Sequence, residues 1–259
     1  MRHLLLAALF AAAISRSLTA ETNIPFPPTS PPAGTNPATF AAPRLDGWLS
    51  NFLGRLQKSH AAGAKVDIVF DGDSITDFWQ GNGKNLWANY EKLNAFDFAI
   101  AGDRTQHVLW RLQQGQVDNL HPKLVFLMIG TNNVPGPDTP EQIAEGVRAI
   151  VDDYRKRCPD AVIVLQAIFP RGATANPMRD KIKAVNVIIS KYGDGQHVIY
   201  LDFADKFLAP DGSLGADIMP DFLHPSLKGY QIWADQINPV INKYLPDAKL
   251  PLSSGTPAP

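Results

Sequence analysis

Five short runs of nearly continuous apolar residues recur along the chain, at 66–71, 96–101, 123–129, 161–168 and 197–203. They are rich in β-branched and aromatic residues and have the length of buried strands. Between them, apolar positions fall three and four apart near 84–93, 105–115, 140–157 and 177–192, and again at about 226–244. That is the period of a helix with one buried face. Strands without polar alternation, separated by helices, predict a parallel sheet covered on both sides. Right-handed crossovers then wind it into a three-layer α/β domain. Ahead of the first strand, Leu45, Trp48, Leu49, Phe52, Leu53 and Leu56 recur at helical spacing, which predicts an amphipathic helix over 44–60 packed on the sheet.

The flanks have a different composition. Met1-Arg2-His3, an apolar run from Leu4 to Ile14 and a small residue at Ala20 have the form of a secretory signal peptide. The run is too short to span a bilayer comfortably. The expectation is a secreted or periplasmic protein with no membrane span in the mature chain. Residues 21–43 are dense in proline with Ser, Thr, Gly and Asn between, and read as an extended linker. The chain therefore divides into a signal over 1–20, a linker over 21–43, one domain over 44–248 and a flexible tail over 249–259.

Composition narrows the partners. Among 259 residues the formal net charge is −1, which gives no ground for a nucleic-acid partner or an anionic membrane. Cys158 is the sole cysteine, so no internal disulfide or cysteine-based metal site can form. It reads as an unreactive thiol at a helix end. No cofactor or metal is expected.

Four polar clusters stand where the chain leaves an apolar run or enters a helix. Gly72-Asp73-Ser74 follows the first strand, where glycine permits a tight turn and Ser74 opens a helical turn with free backbone N–H groups. Ser74 is a candidate nucleophile, although the tripeptide alone is also an ordinary strand-to-helix cap. Thr76 stands where a Gly-x-Ser-x-Gly elbow needs its second glycine, which argues against an ordinary α/β-hydrolase. Gly102 follows the second strand and can turn its N–H into a site. Gly130-Thr131-Asn132-Asn133 follows the third, and a strand-end asparagine amide can donate to an oxyanion. Asp221-Phe222-Leu223-His224-Pro225-Ser226 precedes the last helix. Asp221 can fold back onto one imidazole nitrogen of His224 and leave the other facing the site. His60, His107, His121 and His197 lack such a setting and read as surface or packing residues.

Taken together, these blocks resemble the SGNH hydrolases of the GDSL esterase/lipase superfamily, named for a Ser, Gly, Asn and His matched here by Ser74, Gly102, Asn132 and His224. The wording Gly-Asp-Ser-Ile-Thr, Gly-Thr-Asn-Asn and Asp-x-Leu-His-Pro-Ser is similar to the catalytic subunits of platelet-activating-factor acetylhydrolase and their bacterial relatives. The resemblance covers about residues 64–246. It implies an α/β/α sandwich with a flavodoxin-like five-stranded parallel sheet. It also implies Ser74 as nucleophile, His224 as base, Asp221 as its orienter, and an oxyanion hole of the Ser74 and Gly102 N–H groups and the Asn132 amide. Asp73 and Asn133 are expected as supports. Asn133 stands where many members have Asp, and Asp97-Phe98-Ala99 replaces a frequent Asn-Arg-Gly.

The implied activity is hydrolysis of carboxylic esters, with short acyl groups, especially acetyl, favoured. The substrate is then a small-molecule or polysaccharide ester, and some relatives pair as homodimers. Lysophospholipase and thioesterase activities stay open within the superfamily. Two readings from other classes stay open as well. One is a carbohydrate-binding module on an inactive hydrolase scaffold. The other is a Mg²⁺-dependent phosphatase with Asp71 as nucleophile and Asp73 as acid/base, which leaves the asparagine and histidine blocks without a role. Gly81-Asn82-Gly83-Lys84 lacks the spacing of a phosphate loop and reads as a surface turn. Phe78, Trp79 and Phe222 are either pocket-lining or packing residues.

Overall fold

A computed structural model describes residues 30–44, 47–61 and 65–252. The expected signal peptide, the first part of the linker, Leu45 and the end of the tail lie outside them. The sheet has five parallel strands: β1 (Ile68–Gly72), β2 (Ala95–Asp97), β3 (Leu124–Met128), β4 (Val162–Gln166) and β5 (Val198–Leu201). Their order is β2-β1-β3-β4-β5. The helices are α1 (Trp48–Ser59), α2 (Ser74–Asp77), α3 (Lys84–Glu91), α4 (Thr105–Gln113), α5 (Pro140–Arg157), α6 (Pro177–Ile189) and α7 (Leu227–Tyr244).

The strands alternate between two apolar cores. Val69, Val125, Leu127, Ile163, Leu165 and Val198 face α4, α5 and α6. Ile68, Phe70, Leu124, Phe126, Met128 and Val164 face α3 and α7. Every second residue thus serves one layer, as strand geometry requires. The second core is aromatic: Phe70 stacks on Phe126 at 4.9 Å, and Trp79 meets Tyr230 at 4.5 Å. Full burial of each such ring stabilises the fold by about 1.5–3 kcal/mol. Helix α1 forms a smaller cluster in which Trp48 and Phe52 pack on Ile100 and Trp110.

The second expected strand, 96–101, is ladder-bonded only over Ala95–Asp97 and at the Phe98 N–H, which reaches the Phe70 carbonyl. Beyond it the backbone donors turn to side chains. Ala99 N–H goes to the Asp97 carboxylate at 2.9 Å and Ala101 N–H to Asp77 at 3.0 Å. An edge strand whose donors are captured in this way cannot continue its ladder, and the chain turns instead towards Gly102.

Parts of the expected linker and tail lie against the domain. Residues 36–42 are docked on the domain: Asn36 donates to Gln142 and Glu145, Thr105 donates to the Ala38 carbonyl, and Ala38 is fully buried. Proline density alone did not reveal that Gly146 of α5 lies against the Ala38 carbonyl and leaves room for this contact. At the other end, Asn242 holds both N–H and C=O of Leu250, and Leu250 is buried.

A charged network lies wholly inside the first layer. Arg111 donates to Asp71 at 2.8 Å and to Asp103 at 2.9 Å, with all three side chains at zero exposure. Gln116 and Tyr154 complete Asp71, each at 2.6 Å, and Trp48 completes Asp103 at 2.6 Å. Burial alone would pull the Arg111 guanidinium down, but the two carboxylates hold it above its ordinary value. Removing the cation leaves two buried acids short of a partner, so Arg111→Met should cost about 3–5 kcal/mol. Urea unfolding measures this. A loss below about 1 kcal/mol, the scale of an exposed ion pair, would show that the network does not depend on its cation.

Candidate active site

The order of the sheet reverses between β1 and β3, and ligand sites in such sheets open at the carboxyl ends beside that point. Ser74 follows β1, Gly102 follows β2, and Asn132 follows β3. At Gly72 the two central strands approach so closely that a Cβ would sit 2.3 Å from the Met128 carbonyl oxygen. Glycine there lets the chain leave β1 without displacing β3. Asp73 then caps α2, accepting the Ile75 N–H at 3.0 Å, which places Ser74 at the first helical position.

The last polar cluster meets this serine directly. Ser74 Oγ lies 2.9 Å from His224 Nε2, and His224 Nδ1 lies 2.6 Å from Asp221 Oδ2. A carboxylate only accepts, so Nδ1 carries the proton and Nε2 is left to accept from the serine hydroxyl. The other Asp221 oxygen accepts the backbone N–H groups of His224 at 2.8 Å and Leu223 at 3.1 Å. Phe222 takes a left-handed conformation (φ 58°) to close this loop, and its carbonyl accepts the Gly172 N–H. Partial burial pushes Asp221 up, but those N–H groups and the imidazole hold it below the ordinary carboxylate range. Asp217, the other acid nearby, is given to Lys228 at 2.5 Å.

The remaining expected groups converge through Asp103. Asn132 Nδ2 donates to the Asp103 carbonyl at 2.8 Å, which uses one of its two hydrogens. Gly102 has φ 83°, a left-handed turn that glycine adopts without strain. The Ser74 and Gly102 N–H groups have no acceptor among the described residues. Asn133 is fully buried. Its amide accepts the Thr105 N–H and donates to Asp138, tying the third block to the start of α4.

Asp71 is fully buried, and its two oxygens accept from Gly72 N–H, Arg111, Gln116 and Tyr154. With its lone pairs engaged it is not placed to attack a phosphoryl group, and the phosphatase reading is set aside. Trp79 is core; Phe78 lies over the His224 ring at 5.0 Å between centroids; Phe222 shapes the loop.

Four site neighbours escaped the sequence reading. Asp77 and Arg44 grip opposite sides of Ala101, accepting its N–H and donating to its carbonyl at 2.6 Å, and Arg55 holds Asp77 at 2.5 Å. Asp77 stands three residues after Ser74, a spacing that signals one helical turn. Arg171 donates to the carbonyl and hydroxyl of Thr131 at 2.9 and 3.3 Å. It follows the apolar run of β4, as the other blocks follow theirs.

A serine bonded to a histidine at the switch point of a five-stranded parallel sheet, with glycine and asparagine blocks beside it, defines an SGNH hydrolase. The chain belongs to the GDSL-like lipase/acylhydrolase family, whose model matches residues 70–232. It is 34% identical over 204 residues to platelet-activating factor acetylhydrolase IB subunit alpha1 of Rattus norvegicus, covering 76% of this chain and 85% of that one. The Homo sapiens alpha1 subunit is 37% identical over 166 residues, covering 63% and 70%. In fold it is similar to a GDSL-like lipase from Bacteroides thetaiotaomicron, with TM-score 0.63, 20% identity and coverage of 76% and 99%.

Asp73 carries a testable electrostatic consequence. Burial raises its carboxyl from 3.8 to about 7, against the pull of the Ile75 N–H. A carboxyl raised on folding stabilises the fold while protonated, so its contribution is complete below the unfolded value and is lost as the pH climbs through about 7. Asp73→Asn keeps the cap acceptor and cannot ionise. Wild-type stability should therefore fall relative to this variant between about pH 4 and 7, read by urea titration across that range. Parallel profiles would place Asp73 at an ordinary value.

Proposed function

We propose that this hydrolase is a serine esterase that cleaves short-chain carboxylic esters, acetyl esters foremost, through an acyl-enzyme on Ser74. The observation that carries the reading is the continuous chain of hydrogen bonds from Ser74 Oγ through His224 to Asp221, at 2.9 and 2.6 Å. His224 Nε2 takes the hydroxyl proton as Ser74 Oγ attacks the ester carbonyl carbon. The carbonyl oxygen becomes an oxyanion facing the Ser74 and Gly102 N–H groups and the second hydrogen of the Asn132 amide. Collapse expels the alcohol, which receives its proton from His224. Water, deprotonated by the same nitrogen, then attacks the acyl-serine and releases the acid. Asp221 holds the imidazole in the needed tautomer throughout. Each oxyanion donor lowers the barrier by about 2.7–4 kcal/mol.

The acetyl preference is supported by the acetylhydrolase relatives, and the secretory form of residues 1–20 supports an extracellular or periplasmic ester as substrate.

Ser74→Ala should lower kcat by about 10⁴-fold or more while the thermal transition stays in place. Asp221→Asn should lower kcat by on the order of 10²–10⁴ with KM little changed. Full activity in the serine variant would remove it as nucleophile. A panel of aryl esters from acetyl to long acyl, with acetate release from acetylated xylan and simple sugar acetates, checks the chain-length reading. The expected kcat/KM is greatest for acetyl. A preference for long acyl chains would overturn the acetylesterase assignment and leave the triad standing.

A further inference from the structure

We propose that Arg171 is a specificity residue that receives an anionic oxygen group, a carboxylate or a phosphate, carried close to the scissile ester. The proposal rests on the esterase reading of the Ser74 site and adds the class of substrate that site selects.

Arg171 is placed between the two loops that complete the site. Its Nη1 donates to the carbonyl and hydroxyl of Thr131, the residue before Asn132. The next residue, Gly172, donates its N–H at 2.8 Å to Phe222, which lies between Asp221 and His224. The Arg171 carbonyl accepts from Asn176 at 3.0 Å and Arg179 at 3.1 Å. Backbone and one amino group are thus fixed, and Arg171 and Gly172 together bridge the asparagine and histidine blocks. Asp73 and Asp221 lie near enough to act on its charge.

Neither, however, meets it in a direct contact. The other arginines drawn inward have carboxylate or multiple carbonyl partners. Arg111 takes Asp71 and Asp103, Arg55 takes Asp77, Arg157 takes Asp118 and Asp153, and Arg179 takes three carbonyls. Among the described residues, Arg171 makes no ion pair, and its Nε and Nη2 have no acceptor. Asp73 Oδ1 takes the Ile75 N–H and Asp221 Oδ2 the His224 ring, and neither carboxylate makes a hydrogen bond or ion pair with Arg171 among the described residues. The Nε–Nη2 edge of a guanidinium is a planar fork that matches two oxygens of a carboxylate or phosphate. A partly desolvated cation without a partner is costly, and a substrate anion docked on that edge offsets the cost while holding the ester towards Ser74.

The test compares acetate release from 3-acetoxybenzoate, 3-acetoxyphenyl phosphate and the neutral methyl 3-acetoxybenzoate at low ionic strength. Wild type should show kcat/KM about tenfold higher for the anionic esters, the size expected of one charge-assisted contact weakened by solvent. Added salt should shrink that ratio. Arg171→Gln should bring it to about one, whatever happens to the absolute rates, and Arg171→Lys should restore part of it. Which anionic arm leads tells carboxylate from phosphate. A purely structural role in holding Thr131 would slow all three esters alike, so an unchanged ratio in Arg171→Gln overturns the proposal. Failure of the esterase reading is seen separately, as full hydrolysis of the neutral ester by Ser74→Ala. In the Ser74→Ala background, calorimetric Kd values for 3-acetoxybenzoate with and without Arg171→Gln need no turnover. A roughly tenfold weakening supports the anion site, and equal affinities overturn it.

Discussion

The position of Ser74 relative to the Gly102 loop depends on one buried guanidinium. Asp71 belongs to β1, three residues before Ser74, and Asp103 follows Gly102. Arg111 of α4 bonds both. The two loops come from different strands, and no ladder hydrogen bond can set their separation at this depth, because the edge strand has already given its donors to side chains. A planar, always-charged fork fixes that separation better than an apolar contact, since its hydrogen bonds specify direction as well as distance. The arrangement is costly to desolvate, and Gln116, Tyr154 and Trp48 offset that cost by completing the carboxylates.

Asp221, the acid bonded to His224, is held by a different device. The Asp221 side chain is 55% exposed, so water screens its field on the imidazole. Geometry compensates for what the dielectric weakens. One carboxylate oxygen is locked by two backbone N–H groups of its own loop, and the other can then point only at His224 Nδ1. A left-handed Phe222 closes the turn, an uncommon conformation for a bulky residue. It is held there by the Gly172 N–H and by packing against the aromatic core.

Much of the fold was legible because parallel strands buried on both faces write themselves as unbroken apolar runs, and helices α3 to α7 announce their period. The polar blocks were legible for a related reason: they interrupt apolar strands at their ends, where ligands bind. What escaped was whatever depends on which side chain reaches which backbone group. The early end of β2 is caused by Asp97 and Asp77 capturing N–H groups, an event with no periodicity. The docking of residues 36–42 rests on Asn36, Thr105 and Gly146, single residues far apart in the chain. Arg171 sits in a segment with no helix or strand pattern, and only the contact with Thr131 gives it meaning.

Helix α1 lies outside residues 70–232, the stretch matched by the family model. Yet Arg55 from this helix holds Asp77, and Arg44 just ahead of it reaches the Ala101 carbonyl, so the N–H and the C=O of Ala101, beside Gly102, are both secured from there. The boundary of the matched stretch therefore does not coincide with the boundary of the structural support around the site. A chain trimmed to its shared portion would keep every residue of the four polar blocks and lose the brace on one of them. In this protein a helix beyond the matched stretch is built into the wall of the candidate site, where a change in α1 can alter the rigidity of the Gly102 loop without touching any of the four polar blocks.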